Sequence, residues 1–373
     1  MDKIKVLVIF GTRPEAVKMA PIVKALKKDE EHFISKICVT AQHRDMLDQV
    51  LRIFDIVPDY DLNIFESGQT LTQITCRALT GLEGVIEDFR PNLILVQGDT
   101  TTVFSGALAA FYHQVKIGHV EAGLRSGNLY SPYPEEANRM MTGIVTDFHF
   151  APTARNKDNL MKENYPEDKI YITGNTVIDA LKYVIKEDYK FNIDLLNQLD
   201  YDKKRVVLME CHRRENIGTP MENIFSAVND IIEKYKDTEL VFPMHLNPKV
   251  REIAYKIFKD KDRVHLIEPL DYEPMANLMS KVHLIVTDSG GLQEEGPTFG
   301  KPVLVVRRET ERPEGIEAGT AKLLGTEYAN IYNSLDLLLS NEEEYEKMAK
   351  AVNPYGDGKA AEYIVKAIKD NWV

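Results

Sequence analysis

Residues 286–295 read Val286-Thr287-Asp288-Ser289-Gly290-Gly291-Leu292-Gln293-Glu294-Glu295 and carry the clearest local signal of the chain. An apolar run ends at an acid, Ser-Gly-Gly makes a tight turn, and a helical pattern follows. Glycines let backbone N–H groups approach an anion, and the start of a helix favours negative charge. The stretch is neither a GxGxxG fingerprint nor a P-loop. It predicts a phosphate site after a parallel strand, with a plain glycine turn as the alternative.

The same strand–loop–helix alternation extends over almost the whole chain. The predicted strands are Lys5–Phe10, Lys36–Thr40, Leu93–Gln97, Lys116–Val120, Arg205–Glu210, Leu240–Pro243, Val264–Ile267, His283–Thr287 and Pro302–Val306. The predicted helices are Ala16–Lys27, Leu71–Phe89, Thr102–Tyr112, Met221–Tyr235, Asn341–Val352 and Lys359–Ile368. Several strands are nearly all Val, Ile and Leu, which is typical of parallel strands covered on both faces. The order therefore predicts an α/β fold with doubly wound parallel sheets.

The length of 373 residues exceeds what one hydrophobic core usually fills. One βα series ends near residue 174, and a polar segment, Lys186–Lys204, precedes a second series. We expect an N-terminal Rossmann-like domain of residues 1–174, completed by a C-terminal helix at 359–373, and a C-terminal Rossmann-like domain of residues 175–358. We expect the two sheets to face a central cleft. Ligands of such sheets bind outside the carboxyl ends of the strands, so the loops after strands matter most.

Composition excludes several classes of protein. The net charge of −12 disfavours a general nucleic-acid binder, although a few cations can still form a local anion pocket. Three widely spaced cysteines without a CxxC pair argue against a disulfide scaffold and against structural zinc. No apolar stretch approaches the ~18–20 residues of a membrane span, and Val6–Phe10 is too short for a signal peptide. We therefore expect a cytoplasmic protein.

Acidic residues mark the loops of the first half. Thr12 and Glu15 fit a capping box at the start of a helix, which leaves the neighbouring Arg13 as a candidate anion ligand. Asp99 and Glu121 follow two strands, and Glu135 opens a helix. Each acid alone is explained by capping or by the helix dipole. Together they predict an acid–base cluster, because neighbouring carboxylates raise one another's pKa.

Basic residues mark the loops of the second half. Cys211-His212-Arg213-Arg214 follows a buried strand, and a weaker strand–His pattern occurs at His245. A solvated charged loop is the alternative, but the position after a strand favours a ligand role for at least one of these side chains. Cys211 is either a nucleophile or a small buried residue, and we favour the second interpretation. Arg312 follows another strand, and Glu295 lies one helical turn after the glycines, where its carboxylate can accept hydrogen bonds from ribose hydroxyls.

Taken together, these loops resemble the non-hydrolysing UDP-N-acetylglucosamine 2-epimerases of bacterial type. The matching segments follow the family's order along most of the chain. They are Phe10-Gly11-Thr12-Arg13-Pro14-Glu15-Ala16, Thr40-Ala41-Gln42-His43-Arg44, Gly98-Asp99-Thr100, His119-Val120-Glu121-Ala122-Gly123-Leu124-Arg125, Pro134-Glu135-Glu136-Ala137-Asn138-Arg139, His212-Arg213-Arg214-Glu215-Asn216, Thr287-Asp288-Ser289-Gly290-Gly291 and Thr310-Glu311-Arg312-Pro313-Glu314.

The resemblance implies a GT-B-type fold, a homodimer, and reversible conversion of UDP-GlcNAc to UDP-ManNAc without NAD or a metal, for the supply of cell-surface polysaccharide precursors. The family's route eliminates UDP to give 2-acetamidoglucal and then adds UDP back. The residues that match catalytic positions are Asp99, Glu121, Glu135 and His212. Those that match positions binding UDP or substrate are Arg13, Lys18, Leu270, Met275, Ser289, Gly290, Gly291, Glu295 and Arg312. Of these, Ser289, Gly290 and Gly291 are expected to act through backbone donors to phosphate, and Leu270 and Met275 through main-chain contacts to uracil.

Bacterial members of this family also bind a second UDP-GlcNAc as an activator. Residues matching that allosteric site are Gln42, His43, Gln69, Glu135, Arg213 and His245. Asp45 and Gly68 depart from the family pattern there, as Cys211 and Gly296 do elsewhere, so we expect an altered affinity for the activator. The alternatives are a hydrolysing epimerase that releases free ManNAc, a GT-B glycosyltransferase that uses a UDP-sugar, and a UDP-sugar sensor without turnover.

Overall fold

The computed structural model describes residues 2–41 and 44–372, apart from the side chain of Asp45. The chain forms two compact units. The first contains the residues up to Tyr183 together with the segment from Tyr355 onward, and the second is Val184–Pro354.

The first unit is built on a parallel seven-stranded sheet in the order β3-β2-β1-β4-β5-β6-β7. Its strands are β1 (Ile4–Phe10), β2 (Phe33–Val39), β3 (Tyr60–Asp61), β4 (Leu93–Gln97), β5 (Lys116–Val120), β6 (Phe148–Ala151) and β7 (Ile170–Ile172). Its helices are α1 (Arg13–Lys28), α2 (Arg44–Ile53), α3 (Leu71–Phe89), α4 (Thr101–Tyr112), α5 (Glu135–Val145), α6 (Ala154–Lys162) and α7 (Thr176–Val184).

The second unit is built on a parallel six-stranded sheet in the order β10-β9-β8-β11-β12-β13. Its strands are β8 (Arg205–Glu210), β9 (Thr238–Pro243), β10 (Val264–Ile267), β11 (Leu284–Thr287), β12 (Val303–Val305) and β13 (Ala321–Leu323). Its helices are α8 (Asp194–Gln198), α9 (Thr219–Lys234), α10 (Pro248–Phe258), α11 (Tyr272–Lys281), α12 (Gly290–Glu295), α13 (Pro313–Glu317), α14 (Tyr328–Ser340) and α15 (Glu342–Ala349). A last helix, α16 (Ala360–Asp370), belongs to the first unit.

Both sheets have a point where the strand order reverses. In the first unit β1 lies between β2 and β4, and in the second β8 lies between β9 and β11. The strands at these points are buried on both faces, and residues 6–10 of β1 are fully buried. Ligands of open parallel sheets bind in the crevice at such a reversal. The loops after β1 and β4, and those after β8 and β11, are therefore the candidate positions for a ligand site.

The predicted fold class, α/β with two Rossmann-like parallel sheets, is confirmed. Each predicted strand forms, although β2 begins at Phe33, three residues before the prediction. The strands β3, β6, β7 and β13, which have two to four residues, were not predicted. Among residues 2–41 and 44–372, no helix is long and apolar enough to cross a bilayer.

The observed boundaries of the units differ from the expected 174/175 and 358/359. The first unit continues through almost all of α7 and resumes at Tyr355. The reason is a buried carboxylate on α7. Asp179 accepts hydrogen bonds from the backbone N–H groups of Ala360 (3.1 Å) and Ala361 (2.9 Å), which are unsatisfied donors at the start of α16. These bonds join α7 and α16 within one unit.

Candidate active site

In the first unit, a buried carboxylate joins the loops after β1 and β4. Glu15 accepts from the backbone N–H groups of Thr12 (2.8 Å) and Gly11 (3.3 Å), and from the hydroxyl of Thr100 (2.9 Å). Burial raises the pKa of Glu15 to about 7, although these hydrogen bonds act to lower it. The Thr12–Glu15 contact agrees with the predicted capping interaction. The additional bond to Thr100, which caps α4, fixes the loop that carries Asp99.

Glu121 directly follows β5 and lies in the left-handed region, with φ at 62°. This conformation is uncommon for a residue other than glycine, and it is often found at functional sites. The carboxylate contacts the ammonium of Lys18 at 2.5 Å and also accepts from the side-chain amide of Gln97. The backbone at this turn therefore directs Glu121 toward the carboxyl end of β4 and toward α1.

Asp99 follows β4 and is held by α5, the helix that opens at Glu135. The guanidinium of Arg139 lies 2.6 Å from the Asp99 carboxylate, and the amide of Asn138 donates to the backbone carbonyl of Asp99 at 2.9 Å. Asp99 keeps about a quarter of its side chain exposed (24%), enough to meet a ligand. Glu135 is half-buried one turn before Arg139, so its helix is joined to the Asp99 loop.

Buried groups behind this loop hold it in place. His119 is buried and its Nε2 lies 2.7 Å from the carbonyl of Gly98. Burial lowers the pKa of His119 to about 4, so the ring is neutral and its Nε2–H donates to that carbonyl. Glu136 is also buried, but hydrogen bonds from two backbone N–H groups and the guanidinium of Arg139 outweigh burial and lower its pKa. Arg139 is thus shared between Glu136 and Asp99.

These contacts add cationic partners that the sequence did not identify. The structure pairs Asp99 with Arg139 and Glu121 with Lys18. The cluster of Asp99, Glu121 and Glu135 as neighbouring carboxylates stays a prediction. The cations come from helices distant in sequence, so loop spacing could not reveal them. Lys18, expected as a ligand contact, is placed here as the ion-pair partner of Glu121.

In the second unit, the buried Asp288 organises the loop after β8. Its carboxylate accepts from the backbone N–H groups of His212 (3.0 Å) and Arg213 (2.9 Å), from the amide of Asn216 (2.9 Å) and from the thiol of Cys211 (3.1 Å). A buried charge is costly unless it is satisfied in this way. Asp288 therefore fixes the path of the whole His212 loop at the end of β11.

The thiol of Cys211 is buried, and burial raises its pKa well above the usual range. It is therefore the small buried residue that the sequence favoured, and not a thiolate nucleophile. All three cysteines of the chain are free. In the part of the chain that the structure describes, no group of three or more His, Cys, Asp or Glu side chains is arranged to hold a metal ion.

The imidazole of His212 lies between an acid and another histidine. Its Nδ1 lies 3.1 Å from a carboxylate oxygen of Glu210, a distance that suits an ion pair although the alignment is outside hydrogen-bond geometry. Interaction with Glu210 raises the pKa of His212 against the opposing effect of burial. The ring stacks on His245 with centroids 5.2 Å apart. His245, expected at an allosteric site, is thus in direct contact with a predicted catalytic residue, and Arg213 follows in the same loop.

The glycine turn after β11 makes room for an arginine. A Cβ atom on Gly290 would lie 3.0–3.2 Å from three atoms of the Arg312 guanidinium. Arg312 also donates from Nε to Glu294 at 2.8 Å, which fixes the side chain over the turn. The N–H of Ser289 donates to the hydroxyl of Thr287 (2.9 Å). The N–H of Ser289, one of the expected phosphate donors, is therefore engaged by this hydroxyl. The N–H groups of Gly290 and Gly291 lie in the first turn of α12, where a helix supplies no internal acceptor.

Residues expected around a nucleoside lie near the carboxyl end of β10. Leu270 precedes α11 and Met275 lies in its first turn, both half-buried. Burial and the charge of Glu295 raise the pKa of Tyr272, the first residue of α11, well above its usual value. Glu295 is the last residue of α12 in the same unit.

The remaining predicted residues lie outside these clusters. Arg13 is half-exposed at the first position of α1, beside Glu15. Gln69 is half-buried and accepts a hydrogen bond from Arg77 at 3.1 Å. Gln42 and His43 lie outside the described residues. Sequence reasoning assigned no role to Glu210 or Asp288, although both stood at the ends of predicted strands, where buried acids are a usable signal.

The fold and these loops define a doubly wound α/β protein. Its second unit gathers an arginine, a histidine and a glycine turn at the strand ends, and its first unit presents carboxylates that are paired with cations. The family model described as UDP-N-acetylglucosamine 2-epimerase matches residues 24–369. The chain belongs to this family.

Relatives match over nearly their full length. The UDP-N-acetylglucosamine 2-epimerase of Bacillus subtilis is 56% identical over 368 residues, which are 99% of this chain and 96% of that protein. The structure of S. aureus MnaA with UDP is 52% identical with a TM-score of 0.87, and covers 98% of this chain and 96% of that one. The Neisseria meningitidis UDP-GlcNAc 2-epimerase bound to UDP-GlcNAc is 49% identical with a TM-score of 0.87, over 99% of this chain and 100% of that one.

Replacing the Asp288 carboxylate by an amide should disrupt the His212 loop. In Asp288→Asn the new amide hydrogens would face N–H donors, and we expect the second unit to lose about 3 kcal/mol of stability. Urea denaturation measures this loss, and hydrogen exchange should show faster exchange at the amides of His212 and Arg213. Asp271→Asn is the matched control, since Asp271 is exposed and makes no side-chain cap. Equal stability and exchange in both variants would contradict the role of Asp288.

Proposed function

We propose that the chain epimerises UDP-N-acetylglucosamine at C2, reversibly, to UDP-N-acetylmannosamine, without net hydrolysis. The observation that supports this most strongly is the near full-length similarity to the Neisseria enzyme, which was solved with UDP-GlcNAc. The loops at the strand ends of both units supply the two kinds of chemistry that such a substrate needs: carboxylates for a sugar and donors for a diphosphate.

The proposed reaction is an elimination followed by an addition. The hydrogen at C2 is weakly acidic, so its removal must be coupled to departure of UDP from C1. A carboxylate takes the C2 proton, the C1–O bond breaks with its electrons leaving on UDP, and 2-acetamidoglucal remains. UDP then adds back to C1 while a proton is delivered to the opposite face of C2. The steps balance without an oxidant or a hydride carrier, and we propose no NAD and no metal.

In the first unit we assign proton transfer at C2 to the carboxylates Asp99, Glu121 and Glu135. Arg139 and Lys18 form ion pairs with Asp99 and Glu121 at distances of 2.6 Å and 2.5 Å, which fixes the orientation of both carboxylates before substrate arrives. A base must stand within ~3 Å of the proton that it removes. The fixed backbone around Asp99 and Glu121 supports such positioning.

In the second unit we assign the diphosphate to Arg312, His212 and the N–H groups at Gly290 and Gly291. A guanidinium fixed by Glu294 and an imidazole beside Glu210 are held in place before the ligand binds. Such preorganised donors stabilise the negative charge that grows on departing UDP. Glu295 is assigned to the ribose, and Leu270 and Met275 to the uracil through main-chain atoms.

Isotope exchange tests the reaction. With UDP-GlcNAc in D2O, we expect deuterium to enter C2 of both UDP-sugars while UDP stays attached to sugar at equilibrium, since UDP is eliminated and re-added. Proton NMR and mass spectrometry follow the C2 position and the products. Free ManNAc as the main product would instead establish the hydrolysing reaction. An absence of C2 exchange without an added acceptor would favour a glycosyltransferase, or a sensor where UDP-GlcNAc binds unchanged.

Two variants separate the roles of the units. Asp99→Asn should slow C2 exchange about a hundredfold or more, because a proton-transfer group is lost, while UDP binding measured by calorimetry remains. Arg312→Ala should instead weaken UDP binding about tenfold, because a charged donor to the diphosphate is removed. Each variant serves as the control of the other. Exchange near the wild-type rate in Asp99→Asn, or unchanged UDP affinity in Arg312→Ala, would remove that residue from its role.

We extend the proposal to assembly and control: the chain acts as a cytoplasmic homodimer, and a second UDP-GlcNAc activates it with Arg213 and His245 among its contacts. The stacking of His245 on His212 gives such a ligand a direct path to a catalytic side chain. We expect a dimer in analytical ultracentrifugation and a sigmoidal dependence of initial rate on UDP-GlcNAc that becomes less steep in His245→Ala. A monomer would overturn the proposed dimer, and a hyperbolic rate curve for the wild type would overturn the proposed activation.

A further inference from the structure

The surroundings of His212 contain a carboxylate to which the proposed mechanism assigns no contact with the substrate. Glu210 is the last residue of β8, and its Oε1 lies 3.1 Å from His212 Nδ1. Asp288, at the end of β11, lies 3.8 Å from the same nitrogen. On the ring face, His245 stacks at 5.2 Å with the planes only 19° apart. The imidazole is therefore held both in its plane and on one face, with 29% of the side chain still exposed.

The two carboxylates beside Nδ1 of His212 differ in the hydrogen bonds that they already accept. Asp288 already accepts from the backbone N–H groups of His212 and Arg213 and from the amide of Asn216. Glu210 accepts only a long contact of 3.4 Å, from the hydroxyl of Thr287, among its described side-chain hydrogen bonds. Glu210 therefore has acceptor capacity for an N–H at Nδ1, whereas Asp288 is committed to the backbone of the loop.

We propose that Glu210 is the positioning residue of His212: its carboxylate engages Nδ1, keeps the ring cationic, and so presents an Nε2–H donor to the diphosphate of the bound UDP-sugar. The inference rests on the proposed function only for the identity of that ligand. No proton is transferred in this role. His212 keeps both ring hydrogens and donates a charge-assisted hydrogen bond to a phosphate oxygen, which is stronger than a neutral one.

The charged groups around the ring set the direction of the pH dependence. Glu210 raises the pKa of His212 most, Asp288 adds to this effect, and burial and Arg213 oppose it. A raised pKa keeps the imidazolium form to higher pH, and the charge is lost as the pH rises through that pKa. If Glu210 is neutralised, its raising effect on the pKa of His212 is lost, while the lowering effects of burial and Arg213 remain. The cationic form should then disappear at a lower pH than in the wild type.

UDP binding tests the inference without turnover. In Glu210→Gln we expect UDP to bind about tenfold more weakly than in the wild type at pH 8, because a charge-assisted donor is lost. The loss should shrink when the pH is lowered to 5.5, because protonation of the ring is then favoured in the variant as well. Calorimetry gives the dissociation constants, and the NMR titration midpoint of the His212 ring should move to lower pH. Glu222→Gln is the control, since it removes an equal charge from an exposed pair with Lys256.

A double variant distinguishes an effect of Glu210 through His212 from a merely structural role of Glu210. In His212→Gln, adding Glu210→Gln should change UDP affinity by less than about twofold at either pH, since the interacting partner is absent. Glu210→Asp, which retains the charge, should recover part of the affinity at pH 8. An equal loss at both pH values that persists in the His212→Gln background would overturn the inference, as would an unchanged His212 midpoint in Glu210→Gln. Failure of C2 exchange in the wild type would count against the proposed function alone.

Discussion

The buried carboxylate of Asp288 is the interaction on which the second half of the molecule depends. It lies at the carboxyl end of β11 with no exposed surface, and its charge is satisfied by donors from the loop after β8. Removing donors from a buried charge is strongly destabilising. The loop therefore has one low-energy path, and that path places the His212 ring beside Glu210 and against His245. The positions of His212 and Arg213 follow from this single satisfied charge.

The first unit uses the same device at its own strand reversal. Glu15 is buried, joins the loop after β1 to the loop after β4, and has its pKa raised to about 7 by burial. Asp99 directly precedes Thr100, the residue of this loop that is bonded to Glu15, and α5 holds Asp99 through Arg139 and Asn138. In both units, one buried acid ties together two loops that are far apart in sequence, and the chemistry-bearing residues stand next to that acid. The two units differ in which member of each acid–cation pair is the candidate functional group. In the first unit it is the carboxylate, as in Asp99 and Glu121, and in the second it is the cationic donor, as in Arg312 and His212.

Local signals in the sequence were sufficient for the fold class and for the cap at the start of α1. The continuous apolar strands and the Thr12–Glu15 cap are short-range features, and the structure shows both of them. The partners of the site residues were not accessible in the same way. Lys18 and Glu121 are 103 residues apart, and Cys211 and Asp288 are 77 apart. Such contacts depend on how strands are ordered in the sheet, which periodicity alone does not fix. The short strands β3, β6, β7 and β13 were missed, whereas β10, β11 and β12, of similar length, were found as apolar runs.

The central claim is that UDP leaves C1 and returns while the second unit holds it. UDP-GlcNAc labelled with oxygen-18 in the bond between C1 and the diphosphate tests this directly. If the C1–O bond breaks reversibly, the terminal phosphate of bound UDP rotates, and the label appears in non-bridging positions of recovered UDP-GlcNAc and UDP-ManNAc. Label that stays in the bridging position while C2 epimerises would contradict the claim.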